Sequence, residues 1–123
     1  MKWKIELIFI PVADVDRAKA FYVDQLGFHA DHDQQVDEQL RFVQCTPPGS
    51  ACSIAFGTGI TQMQPGTQRG IQVVVSDASA ARQHLLDHGV PASDVDPQPW
   101  GKFVTFDDPD GNGWILQELP ARP

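Results

Sequence analysis

Residues 10–28 read Ile10-Pro-Val-Ala-Asp-Val-Asp-Arg-Ala-Lys-Ala-Phe-Tyr-Val-Asp-Gln-Leu-Gly-Phe28. The stretch opens on the end of an apolar, β-branched run (5–12) that predicts a buried strand, with Pro11 near its end, where no ladder N–H is needed. Asp14 stands where a helix N-cap belongs, and Asp16 near the positive end of the helix dipole. Val15, Ala18, Phe21, Tyr22 and Leu26 recur at helical spacing and predict a helix over 15–26 with one apolar face. Gly27 sits where a left-handed C-cap is needed.

The same order returns later in the chain. A strand at 71–75 leads to Ser76 or Asp77 as cap, then a helix carrying Ala78, Ala81, Leu85 and Leu86, which Gly89 ends. At an offset of 63, Val12-Ala-Asp14 falls on Val75-Ser-Asp77, Ala18 on Ala81 and Lys19 on Arg82. Gly27 and Gly89 are 62 apart. At an offset of 61, Arg41-Phe-Val falls on Lys102-Phe-Val, Pro48 on Pro109 and Ile54 on Ile115. In between, the polar run 29–39 reads as a strand end and a solvated turn, 41–45 and 52–56 as strands, and 57–69 as a linker. A loop with Pro91, Pro97 and Pro99 leads to a strand at 102–106, the turn 107–113 and a last strand at 114–119.

Each half is thus strand–helix–strand–strand–strand, and repeats are read before sites. The expected class is α+β: one domain over 1–123, with module one about 1–60 and module two about 68–123. One helix covers only one face of a small sheet. Two such modules side by side predict a curved eight-stranded sheet, a cup with helices outside and a concave face for a small ligand.

Composition narrows the function. The chain has 123 residues and a formal charge of −7, with nine scattered Lys and Arg residues. Phosphate binding needs a basic face, so nucleic acid is not the expected partner. No apolar run reaches the roughly 18 residues of a membrane span. The start MKWKIELIF has too short an apolar run, and no cleavage site after it, for a signal peptide, so a cytoplasmic location is expected. Cys45 and Cys52 flank a Pro-Pro-Gly turn and either pair across a hairpin or, as the expected compartment favours, stay reduced.

Two stretches are similar to one known family. Residues 10–28, with their strand, Asp cap, Phe-Tyr helix and Leu-Gly-Phe exit, resemble the opening of the vicinal oxygen chelate superfamily of glyoxalase I, bleomycin-resistance proteins and extradiol dioxygenases. Asp108-Pro-Asp-Gly-Asn-Gly-Trp114 resembles its closing turn. The resemblance covers nearly the whole chain. It implies the paired βαβββ cup, a homodimer, and in the family's enzymes a divalent metal held by His, Glu or Gln from the first and last strands.

The positions that the resemblance assigns to ligands are poor in donors here. In the first strand the position is Leu7. In module two it is Gly70, with Gln72 next on the same face. The last strands offer the faces of Ile54 and Phe56, and of Ile115 and Gln117. A Zn²⁺ or Fe²⁺ site needs about three donors among His, Cys and carboxylate, so no metal cofactor is expected. The reading depends on register: a one-residue bulge would turn Glu118 inward instead of Gln117, and a slip in the first strand would put Glu6 for Leu7. His84 and His88, at i and i+4 on the second helix, lack a third ligand. His29, His32, Asp31 and Asp33 fall in a solvated hairpin. Asp108-Pro-Asp-Gly lacks the bidentate Glu of a calcium loop.

Two functions follow. The first is a metal-free small-molecule-binding protein, with Leu7, Phe9, Ile54, Phe56, Val74 and Ile115 as walls, Gln72 and Gln117 as polar anchors and Trp100 on a lid-like loop. The alternative is a lyase, isomerase or dioxygenase that uses a metal or Glu118 as a catalytic base.

Overall fold

The computed structural model describes residues 1–121. In chain order the elements are β1 (Leu7–Phe9), α1 (Val15–Lys19) running on as a π-helical turn (Ala20–Gln25), β2 (His29–Asp37), β3 (Leu40–Thr46) and β4 (Ser53–Thr58). Module two supplies β5 (Ile71–Val75), α2 (Ala78–Asp87), β6 (Asp96–Gln98), β7 (Gly101–Asp107) and β8 (Gly113–Glu118).

The helix boundaries follow from the caps. The Asp14 carboxylate accepts from the Arg17 N–H at 3.0 Å, and the Asp77 carboxylate from the Ala80 N–H at 3.0 Å. Asp77, not Ser76, is therefore the second cap. Gly27 and Gly89 close the helices at φ +83° and +77°, a region that costs glycine nothing. Leu26 N–H bonds the carbonyl of Phe21, five residues back, so the first helix leaves on a wide turn.

Within each module the first and last strands lie side by side and parallel, giving sheet orders β1-β4-β3-β2 and β5-β8-β7-β6. Among the described residues no ladder joins the two, and the eight strands form a pair of four-stranded sheets. The run 29–37 is a full strand rather than a strand end and a turn. Its polarity suits an edge that is mostly exposed, and β3 supplies its hydrogen bonds. The three-proline loop likewise holds the short strand β6 on the edge of the second sheet. Cys45 and Cys52 are free thiols.

The helix-bearing faces of both sheets share one core. Tyr22 of module one is fully buried, with ring centroids 5.6 Å from Phe56 and 5.7 Å from Trp114, and Trp114 stacks on Phe106 at 6.0 Å. A buried polar knot ties the closing turn across the modules. Asp108 accepts from the Tyr22 hydroxyl (2.7 Å), the Asn112 amide (2.8 Å) and the Asp110 and Asn112 N–H groups. Trp114 Nε1 donates to the Tyr22 oxygen at 3.0 Å, and Asn112 Nδ2 to the carbonyl of Pro11 at 2.8 Å. Burial, reinforced by the Asp108 charge, pushes the Tyr22 pKa far above the usual phenol value.

Candidate functional site

Strand side chains alternate between faces, and partners across a ladder share a face. Ile8, Ile54, Val43 and Phe56 are matched across β1, β4 and β3 and lie in or against the core. Leu7, Phe9, Ser53 and Ala55 therefore occupy the outward face of the first sheet. In the second sheet Ile71, Val73, Trp114 and Leu116 face the core. Gln72, Val74, Ile115 and Gln117 face outward, with Phe103 beside Gln117.

Six of the expected wall and anchor residues (Leu7, Phe9, Gln72, Val74, Ile115 and Gln117) thus lie on outward faces. Ile54 and Phe56 do not: at 2% and 0% exposure they are core residues packed on the helix side. The cause is a slip in the repeat. The turn before β4 (47–52) is one residue longer than the turn before β8 (108–112), so Ile54 corresponds to Trp114 rather than Ile115, and one residue of slip reverses every side chain. The residues that take their places outward are Ser53 and Ala55.

Glu118 is also placed differently. β8 runs without a bulge, Gln117 faces outward, and Glu118 points to the helix side. Its carboxylate accepts from Ala78 N–H at the start of α2 (2.9 Å) and lies 3.8 Å from Lys102 Nζ. It caps a helix rather than facing the cup.

The outward polar groups form two chains of hydrogen bonds. Gln117 Nε2 donates to the carbonyl of Trp100 at 3.0 Å, which leaves Gln117 Oε1 to accept from Gln72 Nε2 at 2.8 Å. Trp100 thus meets the site through its backbone, while its indole belongs to a residue 61% exposed on the β6–β7 turn. In the first sheet an irregularity at Ala30–His32 brings Asp31 beside Thr46. The Thr46 hydroxyl donates to Asp31, and Thr46 Oγ1 lies 2.7 Å from Ser53 Oγ. Ser53 and Gln72 both line a cleft of about 330 Å³ between the start of β4 and β5, together with Ile8, Cys52, Val74 and Trp114. Asp31, Thr46 and Ser53 carry no sequence signature. The one available signal was the small–large alternation Ser53-Ile54-Ala55-Phe56, which marks the large residues as the buried set.

At the positions that the resemblance assigns to metal ligands, lone-pair donors are scarce. Leu7, Ala55, Gly70 and Ile115 have none, and Gln72 and Gln117 are neutral amides already bonded to each other. Such a set does not fit Zn²⁺ or Fe²⁺. Among the described residues no three His, Cys, Asp or Glu side chains gather in a way that would hold an ion. His84 and His88, at the end of α2, have ring centroids 4.2 Å apart and tilted by 32°. Burial pushes the Cys45 thiol up to about 11, which keeps it protonated at neutral pH.

Against known proteins, residues 4–116 match the family model of the Glyoxalase/Bleomycin resistance protein/Dioxygenase superfamily. The chain belongs to this superfamily. It is similar to solved structures over nearly its full length. TnmS3, an antibiotic binding protein from Streptomyces sp. CB03234, is 32% identical with a TM-score of 0.88, over 97% of this chain and 98% of that one. A superfamily member from Sphaerobacter thermophilus DSM 20745 is 32% identical with a TM-score of 0.83, over 94% and 97%. The Bacillus subtilis protein YetH is 25% identical over 121 residues, 94% of this chain and 98% of its own length.

Proposed function

We propose that this superfamily member binds a small organic molecule on its outward sheet faces, without a metal and without catalysing a reaction. The observation that carries the reading is the composition of those faces. Leu7, Phe9, Val74 and Ile115 supply apolar area and the Gln72–Gln117 pair supplies oriented amides, with no acid or base among these six. Burying flat apolar area and satisfying a few polar groups is what sequestration needs. The similarity to TnmS3, described as an antibiotic binding protein, supports the same reading. The engagement of Glu118 at the α2 N-terminus speaks against its use as a catalytic base.

A homodimer belongs to this proposal. Phe9, Val74 and Trp100 are 40%, 62% and 61% exposed in the single chain, and β1 and β5 stand at the ends of their sheets. A second copy laid against these faces would bury that area and close the cup around a ligand. A cytoplasmic site of action is part of the same reading; no helix among the described residues is long and apolar enough to cross a membrane.

A thermal-shift screen of aromatic and polycyclic compounds, run with and without a chelator, tests the proposal. Anything that binds only the folded state raises its apparent stability. Stabilisation that survives the chelator, with no turnover of the hit, is expected. Stoichiometric metal in protein purified without added metal, or product formation, overturns it.

A further inference from the structure

The cleft between the start of β4 and β5 has a directional character. Its argument rests on the small-molecule-binding reading above and adds the chemistry of the group that enters. The Asp31 carboxylate only accepts hydrogen bonds, and the Thr46 hydroxyl gives it its single proton. Thr46 Oγ1 can then only accept from Ser53, 2.7 Å away, so Ser53 spends its own proton on Thr46. Ser53, 6% exposed, is left with lone pairs and no proton to offer. No described group donates to its Oγ.

Across the cleft the same logic fixes Gln72. The Trp100 carbonyl is an acceptor, so the amide nitrogen of Gln117 must face it, and the oxygen of Gln117 must face the nitrogen of Gln72. No described group donates to Gln72 Oε1. Two residues with an open acceptor, one from each module, therefore line one cleft of about 330 Å³, among apolar neighbours that strengthen any bond made there. The charge of Asp31 stands behind one of them.

We infer that this cleft takes a hydrogen-bond-donating group of the ligand, a protonated amine above all, and rejects carboxylates. Ser53 and Gln72 receive the donor, while Thr46 and Asp31 set the direction of the Ser53 hydroxyl.

Two probes that share a ring system test this: 1-naphthylmethylammonium and 1-naphthoate, titrated by calorimetry into the full chain at about 0.5 M salt, where the Debye length falls to roughly 4 Å and attraction from the overall charge is screened. The ammonium is expected to bind about tenfold more tightly or better, the effect of one or two hydrogen bonds. Thr46→Val keeps the charge but frees the Ser53 proton, and should erase most of the preference, as should Ser53→Ala. Gln72→Lys, at an exposed position, should reverse it. Equal affinity for both probes, or a preference untouched by all three variants, overturns the inference while leaving a binding face. Failure of both probes to bind at about 1 mM removes the inference and the binding-face reading together.

Discussion

The Tyr22 hydroxyl donates a 2.7 Å hydrogen bond to Asp108 across 86 residues of chain, and the same oxygen accepts from the indole of Trp114. One phenol oxygen thus joins the first helix of module one to the closing turn and last strand of module two.

Tyr22→Phe keeps the ring packing but leaves a buried carboxylate short of one donor and a buried indole N–H without an acceptor. A loss of about 2–3 kcal/mol is expected in urea unfolding, since buried groups stripped of a partner cost about 1–3 kcal/mol each. A loss below about 0.5 kcal/mol would mean that the knot contributes little.

The assignment of faces is testable with two phenylalanines on adjoining strands. Phe56→Ala should cost about 3–5 kcal/mol, as for a large core side chain, and Phe9→Ala under about 1 kcal/mol. Ligand affinity should respond in the opposite order. Equal stability losses would contradict the placement of Phe56 inward and Phe9 outward.

Glu118→Ala removes the acceptor at the first turn of α2. A stability loss of about 1 kcal/mol is expected, with probe affinity within about twofold of the parent. A collapse of binding with unchanged stability would return Glu118 to the cup.

Asp33 bonds Arg41 (2.9 Å) and Lys19 (2.8 Å), joining β2 and β3 to the first helix. Those hydrogen bonds hold its carboxyl well below the usual carboxylate range. A folded-state pKa below the unfolded value of about 3.9 means that the stabilisation is present above that value and is lost as the pH falls toward the folded one. The pair is partly solvated, so Asp33→Asn should cost only about 1 kcal/mol at pH 7. The parent and variant curves should converge as the pH drops below about 4. Urea midpoints from pH 7 to pH 2.5 measure this, and a gap that widens on acidification would refute it.

Local chemistry made much of the architecture readable from the residues. Asp14 and Asp77 cap, Gly27 and Gly89 terminate, and the β-branched runs around Ile8 and Val73 alternate as strands must. The outward set of Leu7, Phe9, Gln72, Val74, Ile115 and Gln117 follows from that alternation. What escaped depended on distance. The strand at 29–37 owes its hydrogen bonds to β3, not to its own composition. The repeat's offset of 61 puts Ile54 and Phe56 outward, because the spacing does not show that one turn is a residue longer than its counterpart. The Asp31–Thr46–Ser53 chain needs an irregularity in β2 that no local signal announces.

The pairing of each module's first strand with its last has a consequence for biosynthesis. β1 leaves the ribosome about fifty residues before β4, its ladder partner among the described residues, is complete. The Tyr22 hydroxyl waits longer still, until Asp108 emerges with the final hairpin. Until β4 is made, the first half carries an amphipathic helix and an unpaired strand with no finished sheet beneath them. The first sheet can therefore close once β4 is made, whereas the join between the halves waits for residue 108, and a nascent chain between those two points carries a formed sheet whose Tyr22 has no partner yet.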